Sequence, residues 1–209
     1  RLNSNGSIDT GFTMGSITGS VSFQSISVSL VTPLAKIGLQ SDGSIIVVGA
    51  FTKYNDVNVK SIVKLNPVNG QIDYSFNMLT GVDRAINEVL IEPSTNNIII
   101  GGEFTSFGTT PVKKLIRLTN TGALDATFSI GSGTTDTTSS SCPFCYNYVK
   151  VLKQQTDGKI IVGGKFLTFN GLSATNITRI FGSAGVQARS SVTEFQSEPE
   201  INTNFETNV

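Results

Sequence analysis

Residues 98–104 read IIIGGEF, and the same phrase recurs as IIVVGAF at residues 45–51 and as IIVGGKF at residues 160–166. The phenylalanines that end the three phrases are separated by 53 and then by 62 residues. Self-similarity at a period of tens of residues is typical of repeat architectures such as propellers and solenoids. We therefore interpret the chain as an array of similar units.

A second phrase closes each unit: NGSIDTGF at residues 5–12, NGQIDYSF at 69–76 and TGALDATF at 121–128. Between the two phrases lie short apolar runs and turn residues; the Asp42-Gly43 pair predicts a type I′ hairpin turn. Strands this short and this closely spaced predict an all-β fold, a β-propeller-like array of about three four-stranded blades. In the first complete unit we predict strands at residues 34–40, 45–48, 60–66 and 72–76, with a turn at residues 53–56.

Residues 1–12 match only the end of a unit. We therefore expect one stray closing strand ahead of the three blades, and we expect the chain to be a piece of a longer protein. Propellers typically have at least four blades. The count of about three blades would be explained by further repeats upstream, by an array that stays open, by a partner that completes it, or by a ring closed through strand exchange. We assign residues 1–185 to the repeat array and residues 186–209 to a polar linker or tail.

Composition narrows the classes of function. The 209 residues include 15 Lys and Arg, 15 Asp and Glu, no His and no Trp, so the net charge of zero provides no long-range attraction to nucleic acid or anionic membranes. Without His, the Ser-His-Asp triad and the commonest zinc ligand are unavailable. No apolar run approaches the ~20 residues that cross a bilayer. We predict no enzyme activity, no cofactor, no nucleic-acid partner and no membrane insertion.

The motifs resemble the delta-60 repeat, whose units run Q-x-D-G-K-I-[LV]-V-G-G-x-F and then R-L-N-x-D-G-S-L-D-x-x-F. Residues 155–166 (QTDGKIIVGGKF) match the first pattern, and residues 1–12 (RLNSNGSIDTGF) resemble the second. The resemblance extends to about residue 185 and is interrupted at residues 93–97 and 129–147. It implies a β-propeller-like array of the kind found in bacterial surface and secreted proteins and in phage structural proteins, and it carries no catalytic residues.

Two long connections follow the closing phrase, at residues 13–33 and 129–147, whereas the middle connection has only residues 77–84. Insertions at equivalent positions of a repeat array lie on one face, which is often the binding face. Aromatic side chains near these loops are candidates for contact with a sugar or a protein partner, although most aromatics in such a chain belong to the core. The candidates are Phe23, Phe107, Phe144, Tyr146, Tyr148 and Phe169.

Cys142 and Cys145 form a C-x-x-C pair in the second long connection. Such a pair can form a local disulfide, remain as two free thiols, share a metal with a second chain or act as a redox dithiol. A redox dithiol usually begins a helix, and a zinc site within this chain lacks its remaining ligands. A disulfide that staples the insertion, or two free thiols, fits this setting best.

Aspartates recur at two repeat positions. A calcium site of stacked carboxylates is one interpretation. Aspartate also accepts hydrogen bonds from nearby backbone N–H groups in turns, which explains the residue type without a metal. We interpret both sets as structural and predict no metal site. The sets are Asp9, Asp73 and Asp125 in the closing phrase, and Asp42 and Asp157 in the Asp-Gly turns.

These observations favour a non-enzymatic, extracellular or virion-surface module for attachment or for protein or glycan binding. Its expected partners are other protein subunits or a host-surface receptor or glycan, within a larger assembly. The alternative is a purely structural phage tail, fibre or surface-filament subunit that assembles through its terminal strands. A hydrolase or lyase on the same scaffold would need clustered carboxylates, which the sequence does not indicate.

Overall fold

The structure is a computed structural model that describes residues 1–13, 15–19, 22–23, 26–27, 35–135 and 147–182. The predicted tail, residues 186–209, lies outside these residues. The described part contains β-strands and no helix. The strands are β1 (Ile17–Thr18), β2 (Ser22–Phe23), β3 (Ile26–Ser27), β4 (Ala35–Leu39), β5 (Ile45–Gly49), β6 (Lys53–Tyr54), β7 (Val57–Asn58), β8 (Ile62–Leu65), β9 (Ile86–Ile91), β10 (Ile98–Gly102), β11 (Ser106–Phe107), β12 (Thr110–Pro111), β13 (Leu115–Leu118), β14 (Thr134–Thr135), β15 (Tyr148–Gln154), β16 (Lys159–Lys165), β17 (Thr168–Phe169), β18 (Leu172–Ser173) and β19 (Ile177–Phe181).

Each repeat unit is built on one antiparallel sheet of three longer strands, β4-β5-β8 in unit 1 (residues 35–76), β9-β10-β13 in unit 2 (86–128) and β15-β16-β19 in unit 3 (148–182). The middle strand each time contains the isoleucine-rich start of the first repeat phrase and at least one of its glycines. Its β-branched residues suit a pleated strand that is covered on both faces, and Ile98, Ile99 and Ile100 are fully buried. The three longer strands predicted for unit 1 are confirmed to within two residues at each end.

The closing phrase contributes less than the predicted fourth strand. Ile72 forms a single bridge with Leu65, and Leu124 forms the equivalent bridge with Leu118. The Asp73 Oδ1 atom accepts a hydrogen bond from the backbone N–H of Ser75, at 3.0 Å, which turns the chain away from the ladder. The strand predicted at residues 72–76 is therefore wrong beyond its first residue.

The turn at Asp42-Gly43 is also not the predicted type I′ turn. Only Gly43 has a positive φ, at 82°, and its N–H donates to the Gln40 carbonyl at 2.9 Å. This is a three-residue loop that ends in a left-handed glycine, and Asp42 Oδ1 accepts the N–H of Ser44 instead of adopting the left-handed region itself. The residue pair was recognised correctly, but its loop is one residue longer than the prediction assumed.

A small hairpin separates the middle and last long strands of every unit, in place of the simple turn predicted at residues 53–56. It is β6-β7 in unit 1, β11-β12 in unit 2 and β17-β18 in unit 3. In unit 1 both turn residues, Asn55 and Asp56, have positive φ (48° and 61°), as a type I′ turn requires. Asn170 and Gly171 do the same in unit 3.

The large sheets pack side by side in chain order, with β9 against β4 and β5, and β15 against β9 and β10. We call the side of a sheet that faces the preceding unit its front face, and the side that faces the following unit its back face. One buried apolar cluster joins units 1 and 2, and a second joins units 2 and 3. In the described residues the sheets form an open array, not a closed ring, and no helix is long and apolar enough to cross a membrane.

Candidate functional site

The connections that follow each closing phrase all reach the small hairpin of the next unit. In unit 1 the connection supplies β1, which pairs with β6, and in unit 3 it supplies β14, which pairs with β17. The short middle connection makes one bridge, Val82 to Phe107. We call the three small hairpins together with these edge strands the hairpin end. Both long insertions therefore depart from the same position of the repeat.

Two glycines let the connections leave the preceding unit at close range. Gly81 and Gly133 have positive φ values of 29° and 64°. A Cβ atom on Gly81 would lie 2.4 Å from the Lys60 carbonyl oxygen, and one on Gly133 would lie 2.3 Å from the Lys113 Cβ atom. Only glycine fits such an approach of two chain segments. Glycine therefore fixes the route by which these two connections pass the preceding unit.

An asparagine in the left-handed region holds each long connection to its hairpin. Asn55 Oδ1 accepts the N–H of Ser16 at 2.8 Å, and Asn170 Oδ1 accepts the N–H of Ser132 at 3.1 Å. Far along the second insertion, the Asn147 side-chain amide donates to the Thr134 carbonyl at 2.7 Å. Sequence reasoning missed these residues. The sequence pattern that could have identified the first two is the recurrence of asparagine at the same turn position in units 1 and 3.

A cleft of about 260 Å³ opens between the hairpins of units 1 and 2. Its wall includes Lys60 and Asp83, whose Oδ1 atom accepts the N–H groups of Thr105 (2.7 Å) and Ser106 (2.9 Å). Burial by itself raises the pKa of Asp83, but the hydrogen bonds from Thr105 and Ser106 outweigh it and lower the pKa overall. Asp83 is thus an ionised carboxylate that binds the backbone. The rest of the cleft wall combines hydroxyl side chains with apolar ones, among them Phe51, Val59 and Val82.

The structure tests only some of the predicted contact residues. Phe107 and Phe169 are buried (4% and 0% exposed), so the prediction that they contact a partner is wrong. They lie on the inner side of their hairpins, where Phe169 meets Phe166 edge to face with ring centroids 6.4 Å apart. Tyr148 is half-buried at the start of β15, paired with Lys165. The other candidates lie outside the residues whose side chains are described: Phe23, Cys142, Phe144, Cys145 and Tyr146.

The recurring aspartates make the backbone contacts that the structural interpretation predicted. In the closing phrase, Asp9 and Asp125 accept the N–H of the residue two positions later, at 3.0 and 2.9 Å. In the Asp-Gly turns, Asp157 Oδ1 likewise accepts the N–H of Lys159 at 3.0 Å. Among the described residues, no three or more potential ligands of the His, Cys, Asp and Glu types are grouped closely enough to hold a metal ion.

Each closing-phrase aspartate also pairs with a basic residue eight or nine positions earlier in the chain. In unit 2, Arg117 Nε donates to Asp125 at 2.8 Å, while Nη1 donates to Glu92 at 3.3 Å and to the Gly182 carbonyl of unit 3 at 3.0 Å. The Arg117 guanidinium also lies 4.9 Å from the ring centroid of Phe128. Arg117 and Glu92 are both 6% exposed. These contacts join units 2 and 3, so the cluster has a structural role.

Acid is expected to destabilise the array through the closing-phrase carboxylates. The side-chain hydrogen bond from Ser75 lowers the pKa of Asp73 below its ordinary 3.8. A carboxyl group whose folded pKa is depressed stabilises the fold above its unfolded pKa, and this contribution is lost as the pH falls through the folded pKa. We expect the urea concentration at the unfolding midpoint to decrease as the pH falls below about 4. Asp73→Asn should make this fall shallower; an equal fall would show that Asp73 does not contribute.

Three segments of the chain match the model of a family described as a domain of unknown function (DUF5122) beta-propeller, at residues 40–76, 94–128 and 155–182. Comparison with curated proteins and with solved structures gave no match. Each matched segment covers the middle strand, the small hairpin and the last long strand of one unit, and the first two also contain the closing phrase. The matched segments therefore coincide with the units seen in the fold, and they identify these units as repeats of the DUF5122 beta-propeller kind.

Proposed function

We propose that this chain is a non-enzymatic binding module of an extracellular or virion-surface protein, and that it attaches to a glycan or protein through the insertions at the hairpin end. The observation that carries the proposal is the placement of the two long connections. They differ in sequence and length, yet both join the edge of a small hairpin and are held by an equivalent asparagine, Asn55 or Asn170. Variable loops on a constant scaffold are a common arrangement for recognition.

The scaffold beneath the insertions is suited to hold them in place. Phe51, Phe104 and Phe166, which follow the three middle strands by one or two residues, are at most 1% exposed and lie just before the small hairpins. A recognition loop that departs from buried, hydrogen-bonded strands loses less conformational entropy on binding than a loop on a mobile support.

The chemistry of the second insertion favours a neutral, hydroxyl-rich ligand. Residues 131–141 read GSGTTDTTSSS and supply many small hydrogen-bonding groups, while Phe144, Tyr146 and Tyr148 supply aromatic surfaces nearby. A polysaccharide offers both the hydroxyl groups and the apolar sugar faces that such a set would contact. The zero net charge of the chain agrees with recognition that does not depend on long-range electrostatic attraction.

Replacing residues 136–146 with a Gly-Ser linker of equal length tests the proposal. The change keeps β14 and Asn147, so the thermal midpoint should stay the same while binding to an array of bacterial surface polysaccharides and to bacterial cells is lost. Tyr148→Ser should weaken the same binding. Tyr74→Ser is the matched control, because Tyr74 is 71% exposed but lies in a closing phrase away from the hairpin end. Binding that survives the loop replacement would contradict the proposal.

A further inference from the structure

Three Asn-Gly pairs occur in the chain, and the fold holds them differently. Asparagine is most reactive when glycine follows it, because the backbone nitrogen of the glycine can attack the side-chain amide carbon without hindrance from a Cβ atom. The attack requires a nitrogen that is able to lose its proton and turn toward the amide, so a backbone N–H held in a hydrogen bond is protected. The pairs are Asn5-Gly6, Asn69-Gly70 and Asn170-Gly171.

In the two closing phrases that contain such a pair, the glycine nitrogen is held. The N–H of Gly6 donates to the Asn3 carbonyl at 2.9 Å, and the N–H of Gly70 donates to the Asn66 carbonyl at 3.0 Å. Each nitrogen is therefore fixed on a carbonyl earlier in its own turn. We expect both pairs to react slowly while the chain is folded.

The third pair forms the turn of the small hairpin in unit 3, and there the glycine nitrogen is free. A type I′ turn bonds the residues on either side of its two central ones, here Phe169 and Leu172. Within the described part of the chain, the Gly171 N–H donates to no acceptor. Gly171 is exposed, and a Cβ atom on it would meet no other atom within 4 Å. The turn is thus open to water and base.

Asn170 is also the residue that holds the second insertion to its hairpin. Besides the bond from the Ser132 N–H to its Oδ1 atom, its own backbone N–H donates to the Gly133 carbonyl at 2.7 Å. The edge strand β14 pairs with β17, which ends immediately before Asn170. A chemical change at Asn170 would therefore act directly on the contacts that position the insertion.

We propose that Asn170 deamidates spontaneously and that the product loosens the second insertion. Hydroxide takes the proton of the Gly171 backbone nitrogen, and this nitrogen forms a bond to Asn170 Cγ. The bond from Cγ to Nδ2 breaks, and the amide nitrogen leaves as ammonia with a proton from water. One water then opens the succinimide ring at either carbonyl, which leaves an aspartyl or an isoaspartyl residue. No oxidant, reductant or enzyme is required.

The isoaspartyl product changes the main chain of the turn. The chain then runs through Cβ and Cγ of residue 170, which adds one methylene group to a loop of only two residues. A type I′ turn requires both central residues in the left-handed region, and the lengthened main chain does not satisfy that geometry. We expect the Ser132 N–H to lose its acceptor. The resulting loss of ligand binding rests on the proposed function, whereas the modification and the loosening do not.

Unit 1 supplies a matched control for the reaction. Asn55 holds Ser16 through the same contact, but the next residue is Asp56, whose Cβ atom hinders attack by its nitrogen. Asp56 adopts a φ of 61° at the position where Gly171 has 77°. Gly171→Asp therefore copies a turn that the chain already forms, so the variant should fold and react more slowly.

The test is mass spectrometry of peptides from the full chain after incubation of the folded protein in mildly alkaline buffer at physiological temperature. We expect Asn170 to convert several-fold faster than Asn5 and Asn69, and several-fold faster than the same residue in Gly171→Asp. The same incubation in urea should bring the three Asn-Gly pairs to similar rates, because the hydrogen bonds that hold the two glycines are then broken. Conversion of Asn69 as fast as Asn170 in the folded chain would overturn the proposal.

Amide hydrogen exchange on the converted protein tests the loosening without any ligand. The Ser132 N–H should exchange several-fold faster than before conversion, whereas the Ser16 N–H, held by Asn55, should exchange at its earlier rate. Unchanged exchange of Ser132 after complete conversion of Asn170 overturns the second half of the proposal. Both readouts are independent of glycan binding, so their failure is distinct from failure of the proposed function.

Discussion

Arg117→Ala is expected to lower the free energy of unfolding by about 3–5 kcal/mol, because it leaves the carboxylate of Glu92 buried without its cation. Glu92 is 6% exposed, and Arg117 is also the donor to Asp125 and to the Gly182 carbonyl of the next unit. Single domains are typically stable by about 5–15 kcal/mol, so the loss would be a large share of the total. Urea unfolding followed by circular dichroism measures it.

The chain provides its own control for this prediction at the same repeat position. Arg1 pairs with Asp9 as Arg117 pairs with Asp125, but the Arg1 side chain is 47% exposed. Exposed ion pairs contribute about 0–1 kcal/mol, so Arg1→Ala should change stability little. Arg117→Met combined with Glu92→Leu should recover part of the loss, because the buried charges are then removed together. Equal effects of Arg117→Ala and Arg1→Ala would contradict the buried cluster.

Gly102→Ala is expected to destabilise the chain by about 2–3 kcal/mol through overpacking of the backbone. Its Cβ would lie 2.2 Å from the Ala85 carbonyl oxygen and 3.0 Å from the Ile86 Cα atom, at the register shift between β9 and β10. Main-chain atoms on a neighbouring strand cannot rotate away as a side chain can. Gly164, at the same position of unit 3, is equally close to the Tyr148 carbonyl oxygen, at 2.1 Å.

Gly163→Ala is the matched control, since its Cβ would meet only ordinary contacts at 3.6 Å or more. Both substitutions are compared with the otherwise unchanged chain. Chemical denaturation should place Gly163→Ala within about 0.5 kcal/mol of its parent. A Gly102→Ala variant as stable as Gly163→Ala would contradict the close approach of β9 and β10.

The long strands were predictable because their signal is local and is repeated three times. The Ile-rich phrase and its terminal glycine identify a buried middle strand in every unit, and the structure has these strands at Ile45–Gly49, Ile98–Gly102 and Lys159–Lys165. The sequence identified the closing phrase as the end of a unit. It did not show that this phrase would pair through one isolated bridge instead of a full strand. Its Asp side chain competes for the backbone N–H groups that a strand would use.

The small hairpins and their edge strands were not predictable in the same way. A two-residue strand such as Lys53–Tyr54 carries almost no periodic pattern, and its partner Ile17–Thr18 is distant in sequence. The same limit applies to the candidate site. Phe107 and Phe169 look like loop aromatics by position, but the hairpins point them into the core. Sequence placed the insertions at equivalent points of the repeat, whereas the asparagines that hold them became evident only from their hydrogen bonds.

Consecutive units of the array pack back face to front face. Methyl nuclear Overhauser spectroscopy of the protein tests it directly at two equivalent contacts. Cross-peaks are expected from Gly38 Hα to the Ile91 methyl groups and from Gly101 Hα to the Val149 methyl groups, because these side chains fill the space above the two glycines. Absence of both cross-peaks in a folded sample would contradict the side-by-side array.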